Sequence, residues 1–455
     1  MKTTIVSLLF SLCVVQIQSD ANYDHFVMSE AHILERRVHE DANAGYLPFY
    51  IECPKIETRS NCSPVIPYLS NSDGYVITKK NHLENHIFYG CIKKKVPSNE
   101  LNPVHYKNTL TMKRARATVH QELSNFRPFY NLYKLRCRSE VSPTIWKTAR
   151  QSNLYTGLEH YEIGFMIEGL YDMPLAEVHF DHDKKIPLYT KHTLYGKSLT
   201  AQTEAFKTKE ELVYEEDSTR FTVEDLQAAI EYYYKFNEVG SATRSDLYDL
   251  LSEKGLNTIP EKSEISLAHL IPEYDTIETS WKNIARFAQT IAPMWTDLYI
   301  NEWADIENKI REVAFMKDKK LTVISGTHGQ LTFNFKASEK LPDENKFFLN
   351  YRSVCPKLLV PVPELFWKLV IDDTVTYLTR KSAIVIIMYN VTEVLTSLNI
   401  FAPFQKPCES KCNQLQWSGI EKPNLVYCCN VREVKRIITE FPTDIHSGHF
   451  DPFSL

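Results

Sequence analysis

The amino-acid sequence predicts an α+β fold, in which a smaller β-rich part precedes a larger mixed domain. Three observations lead to this class. The first third of the chain contains short strand-like segments separated by turn residues, with no long helix pattern. Strand and helix patterns then follow each other without regular βαβ alternation. The 455 residues, 43% hydrophobic and 24% charged, have the composition of a globular protein with room for two or three domains.

The N-terminus, residues 1–19, has the pattern of a signal peptide. Lys2 precedes an apolar run over 5–15, and Ile17 and Ser19 stand at positions suited to signal peptidase. The run is too short to span a bilayer, which needs about 20 apolar residues. A buried N-terminal helix or strand is the alternative. We expect a secreted, extracellular protein that makes no contact with a membrane.

The remaining chain divides at about residue 150. We predict a β-rich, disulfide-linked N-terminal domain over 20–150, a larger domain over 151–445 and a tail over 446–455. Period-two alternation or short apolar runs predict strands, and apolar residues at helical spacing predict helices. The predicted strands are 46–51, 74–78, 86–91, 161–167, 176–180, 321–325, 365–371 and 383–389, and the predicted helices are 222–238, 278–289, 300–316 and 431–441.

Cysteines and sequons agree with secretion. Cys13 leaves with the signal peptide, and nine cysteines remain in an early and a late group: Cys53, Cys62, Cys91 and Cys137, then Cys355, Cys408, Cys412, Cys428 and Cys429. We expect each group to form disulfides within itself, with one thiol left over. A zinc site in the late group is the alternative. Asn61 and Asn390 begin glycosylation sequons, which predict surface positions.

Charge is distributed unevenly along the chain, although the net charge is only −5. Residues 91–150 contain thirteen Lys or Arg against three Glu, while residues 201–280 contain seven basic against eighteen acidic residues. Aromatic residues are interspersed in the basic segment, which suits phosphate neutralisation and base stacking. A solvated surface that faces the acidic segment is the alternative. The candidate nucleic-acid-binding residues are Lys113, Arg114, Arg116, Arg127, Arg136 and Lys147.

Three motifs carry a resemblance to a known family. The stretch S-L-A-H-L-I-P-E-Y-D over 266–275 is followed by T-I-A-P-M-W over 290–295 and by L-Y-I-N-E-W-A-D-I-E over 298–307. The chain resembles the DNA/RNA non-specific endonucleases, secreted ββα-metal nucleases, and in particular their insect and crustacean branch. That family carries R-G-H-L-A-P-x-A-D, N-x-A-P-Q-W and F-N-x-G-x-W with a later glutamate. The resemblance covers roughly 160–442 and implies a central antiparallel sheet flanked by helices.

The resemblance also implies roles for particular residues. His269 matches the family's general base, and Glu307 matches the helix glutamate that supports metal-bound water. Asp275 matches a position that we assign to structural hydrogen bonding. The sequence differs from the family motifs at positions that take part in the reaction. Leu267 replaces the family's arginine, and Tyr299 replaces the asparagine that binds Mg²⁺. Asn301, two residues later, is the candidate replacement ligand for the metal.

These departures lead to a functional hypothesis with two alternatives. We expect a secreted protein that binds DNA and RNA without sequence preference and has weak or no hydrolytic activity, with His269 either a remnant or a residual catalyst. An active Mg²⁺-dependent endonuclease of gut or saliva is the first alternative, and a structural or protein-binding role is the second. The resemblance to nuclease-like proteins in the saliva of blood-feeding flies implies a role in feeding. It also allows a homodimer, because family members are often dimers.

Overall fold

The described part of the chain defines the fold around the candidate site. The structure, a computed structural model, describes residues 49–54, 63–64, 76–77, 85–92, 109–114, 117–118, 129–130, 137, 141–148, 158–167, 171–196, 265–275, 283–316, 319–332, 348–351, 358–373, 381–391, 405–410, 412, 424–442 and 450–452. The predicted signal peptide, the predicted helix over 222–238 and the Asn61 sequon lie outside these residues.

The N-terminal part is β-rich, as predicted. Its strands are β1 (Phe49–Pro54), β2 (Ser63–Pro64), β3 (Val76–Ile77), β4 (Asn85–Ile92), β5 (Thr109–Arg114), β6 (Ala117–Thr118), β7 (Phe129–Tyr130) and β8 (Thr144–Lys147). The short strands β3, β7 and β6 form a small antiparallel sheet of their own. The predicted strands over 46–51, 74–78 and 86–91 overlap β1, β3 and β4 and are confirmed.

The larger part contributes twelve described strands. They are β9 (Leu158–Ile167), β10 (Tyr171–Asp181), β11 (Ile186–Tyr195), β12 (Ile265–His269), β13 (Ile291–Trp295), β14 (Lys320–His328), β15 (Phe348–Tyr351), β16 (Leu358–Pro361), β17 (Leu365–Asp372), β18 (Lys381–Tyr389), β19 (Val426–Cys429) and β20 (Phe450–Pro452). All five strands predicted after residue 150 are confirmed. β20 pairs with β18, so part of the predicted C-terminal tail joins the sheet.

The main sheet runs in the order β19-β18-β17-β14-β11-β10-β9-β5-β4-β1-β2 and is mostly antiparallel. The N-terminal strands join it at β9, which pairs with β5 in parallel and with β8 in antiparallel orientation. The sheet is therefore continuous across the boundary expected near residue 150. The division of the chain into two domains stays a prediction.

A long helix packs on one face of this sheet. Helix α1 spans 296–316 and consists of an α-helical turn (Thr296–Leu298), a π-helical turn (Tyr299–Trp303) and an α-helix (Ala304–Met316). Its buried residues recur at helical spacing, which confirms the predicted helix over 300–316. Gly196 at the end of β11 permits the close approach, because a Cβ there would lie 1.9 Å from the Ala314 carbonyl oxygen. Among the described residues, no helix combines the length and apolar character needed to cross a membrane.

Strands β12 and β13 together with α1 form a ββα unit. The two strands are antiparallel, with Ile265 opposite Trp295 and His269 opposite Ile291, and α1 begins directly after β13. All five residues of β13 are buried. The unit therefore packs its second strand and its helix into the core, whereas three of the five residues of β12, His269 among them, are half-buried. This is the ββα arrangement that the family resemblance implies.

Two predicted helices are wrong in extent. The segment predicted as a helix over 278–289 contains the short 3-10 turns Asn283–Arg286 and Ala288–Thr290, of which all residues except Arg286 are buried. The hydroxyl of Thr290 donates to the carbonyl oxygens of Ala285 and Phe287, which closes these turns. The helix predicted over 431–441 is a single turn, α2 (Val431–Val434), with a capping box at Asn430 and Glu433.

The disulfides follow the two predicted groups. Cys91 pairs with Cys137 in the early group, and the late group forms Cys408–Cys429 and Cys412–Cys428. The adjacent residues Cys428 and Cys429 lie on β19, so both bonds attach the segment over 405–412 to the sheet. Disulfides, and not the zinc alternative, therefore account for these four late cysteines. No described side chain tests the candidates Cys53, Cys62 and Cys355.

The surface position predicted for Asn390 is wrong. Asn390 is 0% exposed and follows β18 directly. Its Oδ1 accepts from the backbone N–H of Trp295 at 3.1 Å, and its Nδ2 donates to the carbonyl oxygens of Pro293 at 3.3 Å and Pro363 at 3.0 Å. The amide nitrogen that a glycan would modify therefore bridges β13 and the segment before β17 in the core.

Asn390→Ala is expected to lower the free energy of unfolding by about 2 kcal/mol, because each buried polar group left without a partner costs about 1–3 kcal/mol. Denaturant unfolding of both proteins measures the difference. Asn301→Ala is the matched control, since Asn301 is exposed and its removal should change stability by less than about 0.5 kcal/mol. A folded, secreted protein whose Asn390 peptide carries a glycan would contradict this placement.

Candidate active site

His269 is the last residue of β12 and lies at the edge of the ββα unit. Its neighbours Ala268 and Leu270 are fully buried, whereas His269 itself is half-buried. The Leu270 backbone N–H donates to the Thr290 carbonyl oxygen at 2.9 Å, which continues the pairing beyond β12. The backbone pairing thus holds the histidine at the end of β12, with its side chain half-buried.

The surroundings of His269 favour the neutral imidazole. Burial lowers the pKa of the ring below its usual value, and the positive charge of Arg286 lowers it further, while the negative charge of Glu273 acts in the opposite direction. A neutral ring at pH 7 can accept a proton. His269 therefore keeps the protonation state that a general base requires.

Tyr299 opens the π-helical turn of α1 and lies beside His269. Burial raises the pKa of the Tyr299 phenol above its usual value and the charge of Glu307 raises it further, while a hydrogen bond with the His269 backbone acts against this shift. The phenol is therefore neutral at physiological pH. Tyr299, at the position predicted to correspond to the family's metal ligand, therefore presents a neutral hydroxyl next to the His269 backbone.

Asn301 lies on the exposed side of the same π-helical turn. Its Nδ2 donates to both the backbone carbonyl oxygen and a carboxylate oxygen of Asp297, each at 2.9 Å. The described contacts of Asn301 therefore stay within α1, and none of them is with His269 or Tyr299. These contacts do not support the candidate metal ligand at Asn301.

Glu307 is buried on the core side of α1, four residues after the last residue of the π-helical segment. Its Oε1 lies 3.2 Å from the Nζ of Lys368, a residue of β17 that is 0% exposed. Burial raises the pKa of Glu307, and the charges of Lys368 and Arg311 partly offset that rise. The carboxylate predicted to support metal-bound water is therefore engaged in a buried ion pair.

Lys368 connects this ion pair to the rest of the core. Its Nζ donates to the Ser325 hydroxyl at 2.9 Å and to the Leu270 carbonyl oxygen at 3.5 Å, and it lies 4.4 Å from the centre of the Trp303 ring. The contact with Leu270 joins β17 to the residue that follows His269. The Lys368 ammonium group thus contacts the sheet, α1 and the residue that follows β12.

Asp275 has the structural role predicted for it. Its carboxylate accepts from His192 Nε2 at 2.8 Å and from Arg311 Nη1 at 3.0 Å. Burial alone would raise the pKa of Asp275, but the hydrogen bond with His192 and the charges of Arg311 and Lys368 bring it below its usual value. These contacts fix the connection between β12 and β13 against β11 and α1.

The arginine position of the family carries no charge here. Leu267 is half-buried, lies opposite Pro293 and packs against the core. The charge of Arg286 lowers the pKa of the His269 ring, and the Nε of Arg286 donates to Glu273 Oε1 at 2.9 Å. Sequence reasoning missed Arg286, because it follows His269 by seventeen residues in a segment that matches no motif.

The predicted nucleic-acid-binding residues are described only in part. Lys113 and Arg114 are consecutive residues of β5. Lys147 on β8 is exposed, and its Nζ lies 2.5 Å from Glu159 Oε1. Arg116, Arg127 and Arg136 lie outside the described residues. The role of this basic segment stays a prediction.

Comparison with known proteins places the ββα unit in a family. The family model described as DNA/RNA non-specific endonuclease matches residues 157–433, more than half of the chain. A salivary endonuclease of Lutzomyia longipalpis is 26% identical over 200 residues, so the match spans 41% of this chain and 42% of that relative. A chain in the crystal structure of the EndoG/EndoGI complex is similar over 50% of this chain and 77% of its own length, with 11% identity and a TM-score of 0.28. The chain belongs to the DNA/RNA non-specific endonuclease family.

Proposed function

We propose that this chain is a secreted protein that binds DNA and RNA without sequence preference on a nuclease scaffold whose hydrolytic activity is strongly reduced or lost. The observation that carries the proposal is Tyr299, a half-buried, protonated phenol that adjoins the backbone of His269 at the position matched to the family's metal ligand. Leu267 at the arginine position removes the charge that would balance the developing phosphorane.

The residues beside His269 do not fit Mg²⁺. This ion takes oxygen ligands in near-octahedral geometry, commonly from carboxylates and waters. The neutral phenol of Tyr299 is a poor ligand, and the carboxylate of Glu307 is held by Lys368 at 3.2 Å. Asn301 bonds within its own helix. We therefore derive no hydrolytic step from a bound metal ion, and His269 keeps only the scaffold position of a general base.

Nucleic-acid binding is supported by the family and by the charge pattern. The excess of ten basic residues in the segment over 91–150 offers several phosphate contacts, and its aromatic residues offer stacking surfaces for unpaired bases. Secretion is supported by the pattern of residues 1–19, by three disulfides and by a relative described as salivary. A homodimer and a role in feeding stay predictions.

A gel-shift experiment tests this proposal directly. Purified protein is mixed with plasmid DNA or double-stranded RNA at several ratios, in Mg²⁺ and in EDTA. We expect equal retardation in both buffers and intact nucleic acid after protease treatment. About six phosphate contacts should weaken binding by about 10³-fold between 50 and 200 mM salt.

Charge-removing variants make the test specific to the basic segment. The triple variant Lys113→Gln, Arg114→Gln, Arg116→Gln should reduce the slope of log affinity against log salt by about three. The matched triple Lys184→Gln, Lys309→Gln, Lys406→Gln removes the same charge from other described surfaces and should leave the slope nearly unchanged. A flat salt dependence of the parent protein would favour the structural or protein-binding alternative.

The active endonuclease remains a second candidate because of Arg286. Its charge acts on His269, and the neutral His269 ring is ready to accept a proton. Arg286 is a candidate replacement for the missing family arginine, although Glu273 holds it at 2.9 Å. Short fragments produced at catalytic protein ratios in Mg²⁺ alone would favour this candidate. Arg286→Gln should then abolish the cleavage while leaving the fold intact.

A further inference from the structure

A second cluster of chemically versatile side chains lies on the face of the sheet opposite α1. Within β10 and β11, Val178 pairs with Thr190 and Ala176 with His192 on the core face, while Glu177 and His179 point to the other face. His160 of β9 lies directly opposite His179. The main sheet therefore separates His160, Glu177 and His179 from the Asp275 and Lys368 contacts under the ββα unit.

The three side chains converge on one point. Each offers a ligand atom, and these atoms all lie within 4.8 Å of one another. His160 Nε2 and Glu177 Oε2 are 3.6 Å apart. Two ligands of a tetrahedral ion at about 2.1 Å would lie roughly 3.4 Å apart. Small side-chain rotations on a rigid pair of strands therefore suffice to bring the three atoms around one ion.

The contacts of His160 fix which nitrogen faces the cluster. The Thr148 hydroxyl donates to the His160 carbonyl oxygen at 3.4 Å, and its oxygen lies 2.5 Å from His160 Nδ1. The Thr148 contact occupies Nδ1, so Nε2 is the ring nitrogen that faces Glu177, and it can bind a metal ion once its proton is released.

The other two side chains are oriented as ligands should be. The His179 ring stacks on Tyr189, with centroids 4.2 Å apart, and lies 4.6 Å from the His160 ring. Lys191 Nζ contacts Glu177 Oε1 at 3.1 Å, so the other oxygen, Oε2, turns towards His160. Glu162 lies directly opposite Glu177 and is held by the Trp146 indole N–H at 3.2 Å. Two carboxylates directly opposite each other destabilise a sheet, which a cation between the strands would relieve.

We propose that His160, Glu177 and His179 bind one Zn²⁺ ion and thereby link β9 to β10. Two imidazoles and one carboxylate suit zinc and not the oxygen-preferring Mg²⁺. Water occupies the fourth coordination position of the ion, because the Glu177 side chain is 27% exposed and the cluster opens to solvent. Thr148 is a positioning residue that holds the His160 ring. The site is independent of the nuclease centre and of nucleic-acid binding.

Cobalt titration of the full, EDTA-stripped chain tests the site without reference to activity. Co²⁺ in a four-coordinate nitrogen and oxygen site absorbs visible light strongly, and Zn²⁺ should displace it. We expect about one ion per chain. Glu177→Gln, which keeps size and exposure, and His179→Gln should each weaken binding by at least about 100-fold, and Thr148→Val by about 10–100-fold.

Two control variants locate the bound ion. His182→Gln changes an exposed histidine in the turn after β10 and should leave the titration unchanged. His269→Gln changes the candidate active site and should also leave it unchanged. Circular dichroism verifies that every variant is folded. The proposal is overturned if no stoichiometric cobalt binds, if binding survives both Glu177→Gln and His179→Gln, or if His269→Gln abolishes it.

Discussion

The double variant Leu267→Arg, Tyr299→Asn is expected to cleave plasmid DNA in Mg²⁺ at least about 100-fold faster than the parent protein. Leu267 lies two residues before His269 on β12, and Tyr299 adjoins the His269 backbone, so both substitutions act beside the base. Asparagine supplies an amide oxygen for the metal, and arginine supplies charge to the phosphorane. A single transition-state donor is commonly worth about 10²–10³ in rate.

Matched variants separate restored chemistry from altered packing. Leu267→Arg combined with Tyr299→Phe introduces the charge but no metal ligand, and it should remain at the parent rate. Adding His269→Ala to the restored protein should abolish the gain, because the base is then missing. Single-turnover cleavage of a defined duplex gives all the rates. If the restored protein cleaves no faster than a parent that already cuts at catalytic ratios, the native site works through other residues, with Arg286 as the first candidate.

The sequence predicted the strands well because each follows a local rule. Period-two alternation or an apolar run identifies β9, β10, β17 and β18 without knowledge of their neighbours. The same rule wrongly predicted a helix over 278–289. The described part of this segment forms short 3-10 turns, and its apolar residues are buried without lying on one face of a helix. Local pattern cannot distinguish these cases when nearly every residue of a short segment is buried.

The sequence predicted only those residues of the candidate site that lie within its motifs. His269, Tyr299 and Glu307 lie on one ββα unit, and family spacing was enough to place them there. The residues that decide their chemistry come from distant parts of the chain. Lys368 reaches Glu307 from β17, and Arg286 acts on His269 from an irregular turn. Sequence spacing does not predict such contacts. It does not predict the burial of Asn390 either, because the sequon gives no indication of burial.

The buried ion pair has a structural consequence of its own. Glu307 and Lys368 are 2% and 0% exposed, so neither charge has water to compensate it. The pair lies between Trp303, Ser325 and the backbone of Leu270, directly behind the base-carrying strand. The partner of the Glu307 carboxylate in this arrangement is Lys368.

Lys368→Met is expected to lower the free energy of unfolding by about 3–5 kcal/mol, because it leaves the Glu307 carboxylate buried without its counter-charge. Urea unfolding at pH 8 measures the loss. Burial already raises the pKa of Glu307, and removal of Lys368 raises it further. A carboxyl group whose pKa is higher in the folded than in the unfolded state destabilises the fold at high pH. The lost stability returns as the pH falls and the carboxyl group takes up a proton. The loss should therefore shrink when the measurement is repeated at pH 5.

The double variant Lys368→Met, Glu307→Gln distinguishes an uncompensated charge from lost packing. It removes both charges at nearly constant volume, so it should be more stable than Lys368→Met alone by about 1–3 kcal/mol, and its stability relative to the parent should no longer recover at acid pH. Lys309→Met is the control, since Lys309 pairs with Glu312 on the outer face of α1 and its loss should cost less than about 1 kcal/mol. Equal stability of the single and double variants at both pH values would show that packing around Lys368, and not its charge, holds α1 against the sheet.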